Sequence, residues 1–543
     1  MTSDRSYRDL HDHLAALDKA GLLVTIDEPV DKDSEMHPLV RWQFCGGLAE
    51  KDRKAFLFNN ITDGKGRTFS MPVVVGALAA NQDVYSTGME VPVGEIGGKW
   101  QRAIANPVAP NIVDKAPCHE VVLTGDDLLG EGNGLDGLPI PVSTPGFDAA
   151  PTLTSTNTIT RDPETGVQNM GTYRCGLKAP DRLVVRMATR VGGAGGYLHW
   201  QKYQAKGEKM PCAIVLGCPP YVAFMGPQKL PIGMDEVEVA GGLAGAPINM
   251  VQARTVDLLV PAESEIVIEG LVDTKNLEPE GPFGESHGHV ALEEFNMPMQ
   301  ITAITHKKKP IIPSYISQVA PSESSVMKRV AYEPLFLAHL RDTLGIKGVM
   351  KVALHEPLTG LLRVTVVTVD KDTPKTEIWR ALYGAASFKG DCGKICIAVN
   401  EDIDPDNADA LLWAMAYRHN PIEDVQILEH RGQGHGPKRE HGGEEDSTLL
   451  IDATMKSDMP PLALPKKEYM EKAKALWERL DLPPLRPMSP WFGYSLGDWT
   501  KTWDDDAARA ASGDYLENGR RTLQRQQSGL VPETSVRDVE TDW

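Results

Sequence analysis

Between residues 150 and 315 the chain is a succession of short β-branched runs separated by turns: TLTSTNTITRD, RLVVRMA, CAIVLG, INMVQA, SEIVIEGLV and MQITAITHKKKPIIPSYIS. Runs of this length between turn residues predict a barrel or a mixed sheet. The segments on either side read differently. Upstream, YRDLHDHLAALDKAG places Leu10, Leu14 and Leu17 on one helical face, with Gly21 able to close the helix. LLVTIDEPVD and MPVVVGAL follow as strands, and VGEIGGKWQRAIANPVAP is a helix that stops before proline. Downstream, LLRVTVVTVDK, TPKTEIWRALYGAASF, KICIAVNEDID and PDNADALLWAMAYR alternate strand, helix, strand, helix, the pattern of an α/β unit. The Pro/Gly-rich passage GNGLDGLPIPVSTPGFDAAP is expected to mark a boundary, and KKEYMEKAKALWERLDLPP a tail helix. The aromatic stretch SPWFGYSLGDWTKTW after it leaves two readings open, an oligomer contact or packing on the chain's own body.

With 543 residues the chain is too long for one simple core, so two or three domains are expected. A formal charge of −19 argues against nucleic acid as the main partner and weakly against anionic membranes. No run of about 18 apolar residues occurs, so no membrane span is expected. The N-terminus has no apolar core of signal-peptide type, and seven scattered cysteines suit a reducing compartment. The expected localisation is cytoplasmic. Cys392 and Cys396 have a loose metal-like spacing but no second pair, so they are read as ordinary thiols.

Three constellations carry the chemistry. The first is NLEPEGPFGESHGHV, residues 276 to 290. Proline and two glycines between Glu280 and Glu285 rule out a helix interior, so a turn or bulge presents the two carboxylates, free to converge on one cavity. Such a pair suits proton transfer, because mutual repulsion and desolvation push one carboxyl towards neutrality. His287 and His289 are read as rim or core histidines, since no further ligand lies nearby in sequence. The second is VQNMGTYRCG, with Asn169 and Arg174 five apart. Arginine is suited to holding a carboxylate bidentately, whereas a surface ion pair is its commoner use. The third is PIGMDEVEVAGGLAG, where Glu236 precedes a glycine-rich apolar stretch and serves either the helix dipole or a hard cation.

Asn-x-x-x-x-Arg, then a Glu ahead of a Gly/Ala-rich helix, then EGPFGE, resemble the UbiD family of prenylated-FMN-dependent decarboxylases. The order and spacing match over residues 5 to 455, and DLLVPAESEIVIEG and CIAVNEDIDPDNADALLWAMAYRHNP resemble the family's flanks. The resemblance implies an α/β (α+β) fold in four parts. These are an N-terminal α/β domain (1–130), a central split-barrel domain that binds prenylated FMN (131–318), a C-terminal α/β oligomerisation domain (319–455) and a helical extension (456–543). It implies that Arg174, Glu280 and Glu285 form a Glu-Arg-Glu network. It places Mn²⁺ or Mg²⁺ on Asn169 and Glu236, with K⁺ beside it, and sets Lys394 within reach of the flavin phosphate. Relatives supply a histidine about twenty residues after the Asn as third metal ligand. Here Thr189, Arg190 and Val191 stand in that region, so either His199 takes over or the metal shell differs, and Arg190 is a candidate to contact phosphate directly. The implied partners are a small carboxylic acid substrate, a flavin prenyltransferase as cofactor supplier, and further copies of the chain as a homodimer or homohexamer.

Loss of CO₂ from an aromatic or vinylic carbon leaves an sp² carbanion that side chains stabilise poorly, which is why such an enzyme needs an electron sink. The implied reaction is reversible non-oxidative decarboxylation of an aromatic, heteroaromatic or α,β-unsaturated acid. Arg174 would orient the carboxylate, Glu280 donate the proton and Glu285 hold Arg174. Three alternatives stay open: an aryl-CoA thioester as substrate, a two-carboxylate hydrolase, and a non-catalytic flavin- or metal-binding protein.

Overall fold

The computed structural model describes residues 7–187, 194–228, 230, 234–286, 288–355, 362–390, 392–432, 445–456, 459–480, 482–485 and 496–524. It has a mixed α/β fold. The chain divides into two compact units, one of residues 1–399 and 419–453, the other of residues 400–418 and 454–543.

In the first unit, the helix Leu10–Lys19 starts at Asp9, whose carboxylate accepts the Asp12 N–H at 3.1 Å. It buries Leu10, Leu14 and Leu17 along one stripe. A four-stranded sheet follows in the order Leu23–Ile26, Ala55–Phe58, Val73–Val75, Ile312–Ser314. Its last strand returns from far along the chain, because Val73–Val75 is apolar at every position and needs a partner on both edges.

The central sheet has ten strands. Its order is Gln168–Gly171, Asn157–Arg161, Met210–Leu216, Ile266–Val272, Glu294–His306, Arg182–Val185, Cys175–Ala179, Thr152–Leu153, with Glu278–Glu280 and Val121–Thr124 added along Glu294–His306. Both faces of its middle are buried, which explains the unbroken apolar run Met210–Leu216. Cys212, Ile214 and Leu216 enter one apolar cluster, while Ala213 and Val215 enter the other. Residues 172–174 link the first strand in this order to the seventh. A link of that length spans at most about 14 Å, so the sheet curls strongly and brings its two ends together. That link carries Arg174.

A five-stranded sheet, in the order Val349–Leu354, Val364–Val369, Ile395–Asn400, Glu445–Asp452, Val425–Gly432, forms with the helix Lys375–Ser387 the α/β portion read from the sequence. Cys392 and Cys396 are buried beside it, and burial pushes the Cys396 thiol up to about 12. The second unit is helical where described: Ala408–Tyr417, Lys467–Arg479, Lys501–Ser512 and Tyr515–Leu523. Within it Arg418 and Asp402, both buried, make two parallel hydrogen bonds of 2.8 and 2.5 Å. Residues 486–495, which include much of the aromatic stretch, lie outside the described residues. Among the described residues no helix is long and apolar enough to cross a membrane.

Candidate active site

Arg174 is the centre of the site. Its Nε and Nη2 donate to the two oxygens of Glu280 at 2.9 and 2.8 Å, a bidentate fork, and its Nη1 donates to Glu285. The Phe283 ring lies under the guanidinium, 4.5 Å from its carbon. Burial works against the Arg174 charge, but the Glu280 hydrogen bond and the charges of Glu285 and Glu280 outweigh it and hold the guanidinium well above its ordinary value.

The EGPFGE segment folds to make this possible. Glu280 ends the strand Glu278–Glu280, which pairs antiparallel with the long strand so that Glu280 faces Glu294. Glu285 follows the short strand Phe283–Gly284, and its N–H bonds the His289 carbonyl at 3.1 Å. The turn is crowded: a Cβ on Gly281 would sit 2.1 Å from the Ala149 methyl, and one on Gly284 would sit 2.1 Å from the Thr144 hydroxyl. The Gly284 N–H and the Thr144 N–H both donate to Asp148, at 2.8 and 2.7 Å. Burial raises the Asp148 carboxyl against these bonds.

Four side chains here were not singled out from the sequence. Asn296 donates to Glu280 at 2.8 Å. Asp148 ties the turn to the Pro/Gly-rich passage. Phe283 faces the guanidinium. Arg186 stands 3.9 Å from Glu285 and 3.6 Å from Glu294. Asn296 and Arg186 are reachable only through strand register: Glu278↔Asn296 places one, and Cys175↔Val185 carries Arg186 beside Arg174.

Asn169 and Glu236 are also brought close. Glu236 opens the helix Glu236–Ala244, whose N-cap is Asp235. Glu236 reaches the Met170 N–H, 3.3 Å away, next to Asn169 in the chain. Burial pushes the Glu236 carboxyl up to about 7, and among the described residues no Lys or Arg pairs with it. Asn169 abuts the start of the helix Gly195–Lys206: a Cβ on Gly195 would lie 1.9 Å from the Asn169 oxygen. Two hard oxygen donors, one a half-buried carboxylate, beside a helix N-terminus fit a divalent cation and an anion together. His199, on the same helix, hydrogen-bonds Thr160 through Nδ1 at 2.9 Å, and burial lowers its pKa. Thr160 in turn faces Asn169 across the strand pair. Among the described residues no group of three His, Cys, Asp or Glu side chains is arranged to hold a metal ion. Lys394 directly precedes Ile395–Asn400, the middle strand of the five-stranded sheet, and pairs with Asp446. Arg190 and His287 lie outside the described residues.

Comparison with known proteins accounts for this arrangement. Three family models match consecutive parts of the chain: the 3-octaprenyl-4-hydroxybenzoate carboxy-lyase N-terminal domain over residues 14–104, its Rift-related domain over 111–319 and its C-terminal domain over 325–453. Among solved structures, the chain is similar to the UbiD-class enzyme HmfF from Pelotomaculum thermopropionicum in complex with FMN, at 28% identity and a TM-score of 0.72, over 84% of this chain and 95% of that one. An evolved dimeric form of that enzyme in complex with prFMN matches at 27% identity and a TM-score of 0.72, over 84% and 97% of the two chains. Vanillic acid decarboxylase of Sedimentibacter hydroxybenzoicus shares the fold at 24% identity and a TM-score of 0.71, over 87% of this chain and 99% of that one. With all three domains matched in order, and the arginine flanked by two glutamates in the second of them, the chain belongs to the UbiD family of carboxy-lyases.

Proposed function

We propose that the protein catalyses reversible non-oxidative decarboxylation of an aromatic, heteroaromatic or α,β-unsaturated carboxylic acid with prenylated FMN. The observation that carries this reading is Arg174 held between Glu280 and Glu285. The FMN and prFMN complexes of the HmfF neighbour support the choice of cofactor. When bound, prenylated FMN supplies the electron sink for the carbon that loses CO₂.

The chain's own residues do the rest. Arg174 spends three of its five N–H groups on the two glutamates, and the other two are left to grip a substrate carboxylate. Glu280 donates the proton that replaces CO₂. For this the proton must displace one of the hydrogen bonds Glu280 now accepts from Arg174 and Asn296. Glu285 keeps Arg174 in place. The Phe283 ring and the crowded glycine turn keep water from the pair. Asn169 and Glu236 would hold Mn²⁺ or Mg²⁺, with K⁺ as a further cation, and that charge would balance the flavin phosphate. His199, with Nδ1 engaged and its ring neutral, offers Nε2 as a third ligand. Arg190 and Lys394 are further candidates for the phosphate, the latter after leaving Asp446. A flavin prenyltransferase would supply the cofactor, and the working assembly would be a homodimer or homohexamer.

The test is turnover in D₂O by protein co-expressed with a flavin prenyltransferase, over a panel of aromatic, heteroaromatic and cinnamic-type acids. One acid should yield product deuterated at the carbon that lost CO₂. Glu280→Gln should lower that turnover by about 10²–10⁴-fold while flavin stays bound. Arg174→Lys should be comparably severe, because an ammonium cannot form the fork. Turnover by Glu280→Gln at the wild-type rate would remove Glu280 from the proton transfer.

A further inference from the structure

Arg174 and Arg186 face each other at the end of an antiparallel strand pair, where the Arg186 N–H donates to the Arg174 carbonyl at 3.0 Å. Residues directly opposite in such a pair point to the same face, about 5 Å apart at Cβ. Glu285 lies within 4.0 Å of both guanidiniums, as expected if they share a face. Their hydrogen bonding differs. Arg174 places three N–H groups on Glu280 and Glu285. Among the described residues the Arg186 guanidinium makes no hydrogen bond. Its nearest carboxylates, Glu285 and Glu294, stand at 3.9 and 3.6 Å, and its Nε is buried without an acceptor. Only 18% of the side chain is exposed. Five donors in a fixed fork, largely withdrawn from water and bonded to no acceptor, are costly to maintain. A group held in that condition beside a reaction site suits a ligand that brings the acceptors.

We propose that Arg186 anchors a second oxygen-bearing group of the substrate, a carboxylate or a carbonyl, next to the carboxylate that leaves from Arg174. The acid decarboxylated here then carries such a group as a neighbouring substituent. The inference rests on Arg174 holding the departing carboxylate, and it narrows the substrate class of that same site. The planar guanidinium fork matches both oxygens of a carboxylate, and it also donates to the single carbonyl oxygen of an ester or thioester. A hydrocarbon substituent would leave the fork without acceptors. A site built to hydrogen-bond a group discriminates strongly against the analogue that lacks it, whereas an apolar pocket discriminates only weakly. Arg186 is thus a selector among acids, where Arg174 accepts any of them.

The test compares affinities across a fixed set of acids. Calorimetry on the full chain, co-expressed with a flavin prenyltransferase, measures binding of benzoate, benzene-1,2-dicarboxylate, benzene-1,3-dicarboxylate and the monomethyl ester of each diacid. A probe that is consumed is ranked by its kcat/KM, the quantity on which discrimination depends. At least one disubstituted acid should bind about tenfold or more tightly than benzoate, the size of a hydrogen bond to a charged donor. A preference for the diacid alone identifies the second group as a carboxylate, and an equal preference for diacid and ester identifies it as a carbonyl oxygen. Arg186→Gln should abolish the preference, and Arg186→Lys, which lacks the fork, should keep only part of it. No preference in the wild type, a preference that survives Arg186→Gln, or an equal loss for benzoate and the disubstituted acids overturns the proposal. If Arg186→Gln does not fold, Arg186→Lys decides: a reduced preference supports the proposal and an unchanged one overturns it. Arg174→Lys separates this inference from the reading beneath it, because it should weaken every probe, benzoate included. Benzoate binding that ignores Arg174→Lys would remove the anchor assigned to Arg174, whereas the effect of Arg186→Gln on the preference judges Arg186.

Discussion

Arg174 shows how a residue's neighbours decide its role. Alone in VQNMGTYRCG it reads more readily as a surface ion pair, and only the return of residues 278–285 to its side makes it the centre of a network. Glu280 and Glu285 were legible because proline and glycine between them exclude a helix. Asn296, Asp148 and Arg186 were not, because their approach is set by register and by a loop that crosses over the turn. Another buried carboxylate, Glu323, shows the same dependence on context. It accepts the Leu78, Ala79 and Ile316 N–H groups at 3.2, 3.3 and 3.3 Å, and burial raises its pKa from 4.5 to about 7. The folded value lies above the unfolded one, so its contribution to stability is complete below pH 4.5 and is lost as pH rises through about 7. Glu323→Gln disturbs the acceptor set at every pH but abolishes this slope. Denaturant titrations should therefore show wild type losing about 3 kcal/mol relative to the variant across that window. Parallel curves would contradict the assignment.

At the scale of elements, the strands were legible where β-branched runs met turns, and the buried pair of faces explains why CAIVLG shows no alternation. The helix Gly195–Lys206 was hidden by its glycine-rich start and mixed composition. It matters because its first turn meets Asn169. Gly195→Ala would place a methyl about where the Asn169 oxygen now lies. The variant should fold, since the helix gains a better helix former, yet bind Mn²⁺ at least tenfold more weakly by equilibrium dialysis. Unchanged Mn²⁺ binding would show that Asn169 does not serve a cation. The tail helices Lys501–Ser512 and Tyr515–Leu523 also escaped the reading, because no apolar stripe is buried along them.

For the whole molecule, the curled ten-stranded sheet is the device that turns distant sequence into one site. Its first strand carries Asn169, the link to its seventh carries Arg174, and the long fifth strand supports Glu280 through Glu294 and Asn296. A net charge of −19 leaves an anionic cofactor dependent on local cations. Chelation of the purified protein should accordingly release flavin and metal in step, as should Glu236→Ala. Flavin retained in full by metal-free protein would separate the two. The central claim, a decarboxylase working with prenylated FMN, is tested most directly by the mass and absorption spectrum of whatever the protein carries after co-expression with a flavin prenyltransferase. The account predicts one prenylated FMN per chain, and far less in the Glu236→Ala protein. Purified protein that releases CO₂ from its substrate while carrying no flavin would contradict it.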